Sequence, residues 1–532
     1  MPADRTLTWA GAIGVALLAG IPRLFRAWES VPDLLARSTW DDTFYYFGIA
    51  RNIMDGNGAS FDGEHVTNGF HPLWLALITP FWAFDGDTPI HLALTLGALF
   101  GAGTAATIFL WLMRATDSLA ASLIGGAFYA LHPAAVTDSV NGMESSVTVF
   151  MFTATAYALL ALRFEPASTL PGRRDIVLGI CCGGLMLART DIVIVVGVLL
   201  GYVALRSGAV GFTRPLAIGA VAFVCVVPWL TWSYVATGSI VQVSGRAGGV
   251  QVRQAFEQQH DGVWPTIEHG IDLTWTMLSD DLPHAYVVPG DVPGWAGLVL
   301  MAVTAIVIGW TAFRTPNGYR QSAYAVAVLA VGLLAMLAYH SGIRFFTRTW
   351  YFAPTAMLVA VTIGLALSAM ERLAADYTHR IPTAGARYAT AAITTVVAAA
   401  MIAVYQPYDA MGWSGVHPHE LNAYEGAQWL REETPPGTRA GSFNGGIIGY
   451  FSDRTVVNLD GVVNEGAYEA LRDREVTTYV REERLEYIVD FEAALIIAAA
   501  GPPVVTYEEV ARVGAPGGVF GQVGILRVQP SE

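Results

Sequence analysis

The sequence predicts a mainly α, polytopic membrane protein that ends in a small α/β domain, and three observations predict it. The 532 residues are 54% hydrophobic and only 14% charged, against about 25% charge in a soluble domain. Apolar runs long enough to cross a bilayer recur from residue 8 to residue 405. Beyond Tyr405 they stop, and Pro407, Pro435, Pro436 and many charged residues take over. The mean hydropathy is +0.45. A net charge of −14 argues against a basic nucleic-acid surface. All 30 basic residues are arginine. Cys181, Cys182 and Cys225 lie inside apolar runs and give neither a disulfide framework nor a zinc spacing.

Taken in order, the runs predict about eleven membrane helices, at 8–28, 88–113, 118–135, 144–163, 175–188, 191–206, 215–236, 294–313, 322–340, 350–370 and 388–405. The first continues into Arg23 and Arg26 without a convincing cleavage site, so it reads as an uncleaved helix. Arg114, Arg163 with Arg173 and Arg174, Arg206 with Arg214, Arg314 with Arg320, and Arg372 with Arg380 and Arg387 then share one side. By charge bias that side is the cytoplasm. The external side receives loop 29–87, the Glu144 turn, long loop 237–293, the Arg344–Trp350 loop and residues 406–532. A transmembrane domain over 1–405 and an extracytoplasmic domain over 406–532 follow.

Within loop 29–87, Phe44, Tyr45, Phe47, Ile49 and Ile53 predict an amphipathic helix along the membrane interface. Gly56 and Gly58 end it, and Asn68-Gly69 marks a turn. His71–Phe84, only 14 residues, reads as a re-entrant or interfacial helix, because a full crossing would reverse the charge bias. Spans 175–188 and 191–206 are short and joined by Arg189-Thr-Asp191, which implies a thinned membrane or buried helix ends. In the tail, a helix at Ala423–Glu432 and strands at Gly446–Tyr450, Thr455–Leu459, Leu495–Ala500 and Val523–Val528 are expected. The glycines after Phe443 lack the pattern of a phosphate loop.

The candidate chemistry gathers on the external face. Asp41 and Asp42 follow the first span, and two adjacent carboxylates at a membrane surface are costly without a cation, an Arg or a substrate. Glu144 opens another span, Arg189 and Asp191 form a hairpin tip, and Arg344 and Arg348 precede Trp350. Each also has a structural reading. Asp41, Asp42 and Glu144 suit helix N-termini, Arg189 with Asp191 suits a structural ion pair at a turn, and Arg344 and Arg348 suit snorkelling to headgroups. His71 suits a structural hydrogen bonder, and Trp40, Trp74 and Trp350 suit an interfacial aromatic belt.

The motifs D-D-T-F-Y-Y from Asp41, A-R-N-I from Ala50, T-N-G-F-H-P-L-W from Thr67, N-G-M-E-S from Asn141, L-A-R-T-D from Leu187 and F-N-G-G-I-I-G-Y-F-S-D-R-T-V-V-N-L-D-G-V-V-N from Phe443 are all present in this order. Together they resemble polytopic glycosyltransferases of the GT-C superfamily, such as protein O-mannosyltransferases, aminoarabinose transferases and mycobacterial arabinofuranosyltransferases. The resemblance implies a polyprenyl-phosphate-linked sugar donor, a glycan, glycolipid or protein acceptor, and transfer at the outer face of the cell membrane. It places Asp41, Asp42 and Glu144 as catalytic candidates, with Asp41 as general base. Arg189, Asp191, Arg344, Arg348, His71, Asn68 and Tyr45 become substrate-binding candidates. Asp41, Asp42 and Glu144 could also hold a divalent cation (Mg, Mn or Ca), a role the arginines could replace.

Residue chemistry fits such a transfer. A carboxylate takes the acceptor proton, carboxylates stabilise an oxocarbenium-like centre, and Arg holds a departing phosphate. Loop 237–293 is too long for a connector and reads as a lid that orders on substrate binding. A secondary transporter or lipid flippase is the alternative, but its ionisable residues would sit near the bilayer midplane in repeated halves. A receptor-like scaffold would use Asn444–Asn464 as a contact surface.

Overall fold

The computed structural model describes residues 5–162, 171–207, 212–260, 262–287, 292–315, 317–378, 418–491, 504–516 and 520–530. Among these, seven helices are long and apolar enough to cross a membrane: Arg5–Ala27, Thr88–Thr116, Thr190–Ser207, Thr213–Thr237, Gly294–Arg314, Gly318–Ile343 and Thr349–Leu373. The pair Leu119–Leu131 and Pro133–Val140 is apolar enough only when taken together, and it bends by 56° at its break. Pro133 has no N–H to continue the ladder. The Arg23 guanidinium, fully buried in the first helix, donates instead to Ala130 O at 2.7 Å and Ala19 O at 2.8 Å.

Two further expected spans are helices of only 16 residues, Ser145–Leu160 and Arg173–Ala188. Their adjoining ends are buried, since Glu144 is 3% and Arg189 4% exposed. They therefore terminate inside protein, where their polar ends are paired. The expected span 388–405 and the expected boundary near residue 405 lie outside the described residues.

The segment after the first span departs from expectation. Helix Asp41–Met54 forms, and Gly56 and Gly58, with φ of +84° and +77°, follow its end. It does not lie on a lipid surface, because Phe44, Tyr45, Phe47, Ile49 and Ala50 are all buried. The C-terminal unit covers the face assigned to lipid, with Phe44 packed on Tyr450 and Phe451 at ring separations of 5.4 and 5.1 Å. Trp74 likewise leaves the aromatic belt. It is fully buried and its Nε1 donates to Gly142 O at 2.9 Å. The short segment from His71 becomes helix Pro72–Ile78 followed by a 3₁₀ turn, Thr79–Ala83.

The C-terminal unit is a five-stranded sheet of β1 (Arg439–Ser442), β2 (Thr455–Asn458), β3 (Tyr487–Phe491), β4 (Val505–Val513) and β5 (Val523–Pro530), in the order β2-β1-β3-β5-β4. β1 runs parallel to β2 and β3, and β5 runs antiparallel to β3 and β4. Helix Pro418–Glu433 packs against it. The strand expected at Gly446–Tyr450 is instead helix Gly445–Phe451. Its first backbone N–H groups find a carboxylate, described below, which favours a helix start over a sheet ladder. The strand expected at Leu495–Ala500 lies outside the described residues. One apolar cluster runs from Ala27, Leu34, Phe47 and Trp74 into Ile447, Val489 and Ile525, so sheet and bundle share a core.

Loop 237–293 is built of short helices, among them Val243–Ala247, Val250–Gln259 and Val263–Thr276. It bridges the two parts of the chain. Asn68 holds its start, Arg246 pairs with Glu465, and Gln254 Nε2 donates to Arg472 O at 2.9 Å.

Candidate active site

The site forms where helix Asp41–Met54 crosses the paired ends of the short helices. Trp40 precedes this helix, and its backbone N–H donates to Thr43 Oγ1 at 3.3 Å. Asp41 and Asp42 are thus first-turn residues rather than the cap itself. Thr43 Oγ1 donates in turn to Asn141 O at 2.6 Å, which ties the helix to the Asn141–Glu144 turn. Gly142 in that turn has φ +78°, and a Cβ there would lie 2.3 Å from Thr43 Cγ2.

Successive helical residues point about 100° apart, while residues four apart share a face. Asp41 and Tyr45 face the C-terminal unit. The Asp41 carboxylate accepts the Gly446 N–H at 3.0 Å and the Ile447 N–H at 2.7 Å. Tyr45 Oη accepts from Gly445 N at 3.0 Å and Asn458 Nδ2 at 2.8 Å. Tyr46, on the next face, donates its hydroxyl to Glu144 Oε2 at 2.9 Å. Asp42 lies on that face, one turn before Tyr46.

Glu144 belongs to a closed network. Its Oε1 meets Arg189 Nη1 at 3.2 Å and His71 Nε2 at 3.5 Å. Arg189 also grips Asp191 through Nε at 2.9 Å and Nη2 at 3.0 Å, and lies 4.0 Å from the centre of the Tyr351 ring. Asp191 Oδ2 meets His340 Nε2 at 2.9 Å. Thr190 N–H donates to His71 Nδ1 at 3.3 Å, which leaves Nε2 as the protonated nitrogen toward Glu144. Burial lowers the His71 pKa, in keeping with a neutral ring. The network pairs the Arg189 guanidinium with both Glu144 and Asp191 without any ligand.

Asp42 and Arg348 stand apart from this network. Among the described residues, nothing donates a hydrogen bond to the Asp42 carboxylate, and Arg348 makes no ion pair. Arg348 is exposed and stacks at 4.3 Å on the Phe346 ring. Burial raises the Asp42 pKa to about 6, with Glu420 and Glu144 adding to the rise and Arg348 opposing it. Burial also holds Asp41 well above the ordinary carboxylate range, with Glu420 beside it and the Ile447 amide opposing. The Trp40 and Trp350 rings, 6.1 Å apart, bring the Arg348 loop to the head of the helix.

Of the expected site residues, the structure gathers Asp41, Asp42, Glu144, Arg189, Asp191, His71 and Arg348 into one region. Three serve elsewhere. Asn68 Nδ2 donates to Ser233 Oγ at 2.8 Å while its Oδ1 accepts from Val243 N at 2.9 Å, so it pins the long loop. Tyr45 is spent on the C-terminal turn. Arg344 Nη2 donates to Arg246 O at 3.2 Å and to Gly248 O. The spacing from Asp42 to Tyr46 could have revealed Tyr46. Nothing local in sequence pointed to His340, Tyr351 or Glu420, which arrive from distant segments.

The donor set does not suit the expected cation. Asp41 is filled by backbone amides and Glu144 by Arg189, and their ligand atoms do not converge with those of Asp42. Among the described residues only Glu64, His65 and Glu483 bring three such atoms together. There, Arg439 already bridges Glu64 at 2.7 Å and Glu483 at 3.0 Å.

Residues 415–522 match a family model described as a domain of unknown function, DUF8728. No curated protein matches the chain in sequence. Among solved structures, the chain is similar to ArnT from Cupriavidus metallidurans bound to undecaprenyl phosphate, at TM-score 0.58 and 14% identity, over 98% of this chain and 97% of that one. It is also similar to the Archaeoglobus fulgidus oligosaccharyltransferase tethered to an acceptor peptide, at TM-score 0.57 and 16% identity, over 98% of this chain and 74% of that one. These likenesses show a GT-C fold.

Proposed function

We propose that this GT-C-fold chain is a membrane glycosyltransferase. It moves a sugar from a polyprenyl-phosphate donor to a hydroxyl of a glycan, glycolipid or protein acceptor at the extracytoplasmic face. The observation that carries the reading is the Asp42 carboxylate, without a hydrogen-bond donor among the described residues and within the influence of the Arg348 charge, next to Asp41, Glu144 and Asp191, which are all paired. The fold supports it, since the ArnT of known structure is bound to undecaprenyl phosphate.

Asp42 is the general base in this reading. It takes the acceptor hydroxyl proton as that oxygen forms the new bond to the anomeric carbon and the bond to the phosphate oxygen breaks. Asp41 was the base expected from its place in the motif, but both its oxygens already accept amide protons. Arg348 receives the charge that develops on the departing phosphate. Glu144, Arg189, Asp191 and His71 form a rigid floor that places Tyr46 and the helix bearing Asp42. Their ligand atoms are already taken up by one another.

The test is transfer of radiolabelled sugar from a polyprenyl-phosphate donor by the purified full-length protein. Asp42→Asn is expected to lower the rate by about 10²-fold or more, and a chelator to leave wild-type transfer intact. Full transfer by folded Asp42→Asn rejects the base assignment. Lipid movement without sugar transfer favours the flippase alternative.

A further inference from the structure

Asp41 is the residue the proposed chemistry leaves over. We propose that it is a positioning residue: its carboxylate latches the turn after β1 onto the head of helix Asp41–Met54, and this latch directs Asp42 into the transfer site. The inference rests on the transferase reading for its consequence, but the latch itself is a geometric statement about two parts of the chain.

The contacts of Asp41 and Tyr45 cross between the bundle side and the C-terminal unit. The Asp41 side chain takes two successive amides, Gly446 and Ile447. Its own N–H donates to Glu420 Oε1 at 3.2 Å, on the helix that packs behind the sheet. One turn on, Tyr45 Oη takes the Gly445 amide and bonds Asn458 at the end of β2. Three consecutive amides, Gly445 to Ile447, are therefore satisfied by one helix face.

The turn that offers these amides is fixed from behind. Asp490 at the end of β3 is fully buried. Its Oδ2 accepts from the Phe443 and Asn444 amides, and its Oδ1 accepts from Asn444 Nδ2 at 3.0 Å. The fit also requires glycine at 446, where a Cβ would lie 2.1 Å from Asp41 O. A carboxylate holding two amides in partial burial restrains its own backbone closely. Because Asp42 is the next residue, the direction of its carboxylate is set by the same restraint, and a general base must sit within hydrogen-bond reach of the proton it takes.

The experiment compares Asp41→Asn with Asp42→Asn in the full-length protein in lipid nanodiscs. Amide hydrogen exchange is read at residues 443–447, and kcat and KM are read for a polyprenyl-phosphate sugar donor. An asparagine keeps one acceptor oxygen but turns an NH₂ toward the second amide. Asp41→Asn is expected to speed exchange at 443–447 by roughly tenfold or more and to lower kcat with little change in donor KM. Asp42→Asn is expected to lower kcat with exchange unchanged. Should Asp41→Asn lose transfer while exchange at 443–447 stays slow, Asp41 acts on the substrate and the latch is wrong. Should exchange rise while transfer stays, the latch is not coupled to the site, which also overturns it. If Asp41→Asn does not fold, Tyr45→Phe loosens the same turn and is judged by the same pair of readouts. Full transfer by Asp42→Asn rejects only the base assignment, since the exchange arm of Asp41→Asn judges the latch separately.

Discussion

Asp41 and Asp42 are identical residues in adjacent positions with different environments, and helical geometry is the reason. One carboxylate accepts backbone amides, while the other is buried without a hydrogen-bond donor among the described residues and feels the Arg348 charge. A base whose pKa lies at about 6 is charged above that value and neutral below it. Transfer should therefore fall as pH drops through about 6, seen as the acid limb of a kcat/KM profile. Arg348 holds that pKa down, so Arg348→Ala should move the limb to higher pH as well as weaken transfer. A limb that stays in place after this substitution would mean that Arg348 does not act on the group being titrated.

The elements dock through backbone contacts that leave no room for side chains. Gly69, in the turn before His71, lies against the segment after β2, and a Cβ there would stand 2.0 Å from Val462 O. Gly69→Ala must push the two apart, and a loss of about 1–3 kcal/mol is expected, read as a lower thermal midpoint in detergent. A second docking point is the Asp62–His65–Glu483 group. His65 Nδ1 lies 2.7 Å from Asp62 and Nε2 3.3 Å from Glu483. These acids raise the His65 pKa from 6.5 to about 9. A raised pKa contributes stability that is complete below 6.5 and lost as pH climbs through about 9. Residues 55–67 should then become more open to protease above pH 9, and His65→Ala should remove that pH dependence. The helix at Gly445–Phe451 teaches the same lesson about legibility. Its G-G-I-I-G-Y-F reads as a strand by residue type, but amides capped from 400 positions away made it a helix.

For the whole molecule, the functional reading requires one face. Loop 29–87, the Arg344–Trp350 loop and the C-terminal sheet meet around Asp42, while Arg114, Arg206 and Arg314 lie at the far ends of their helices. In intact cells, a membrane-impermeant maleimide should label Asp85→Cys and leave Arg314→Cys unlabelled, in a background free of Cys181, Cys182 and Cys225. Labelling of both, or of Arg314→Cys alone, would reject the proposed orientation.

By itself the sequence determined the class of the molecule. Hydropathy is a local sum over some twenty residues, so the long apolar helices were legible from composition alone. The alternation of the charged loops likewise put Asp41, Asp42, Glu144, Arg189 and Arg348 on one face. The division of labour among them was a matter for the tertiary structure. Whether a carboxylate is free or spent depends on amides, arginines and histidines that come from remote segments, and the pairing energy of a charge is set by distance in space. Only the docked C-terminal unit, by occupying Asp41 and Tyr45 and burying a helix that reads as lipid-facing, set Asp41 apart from Asp42.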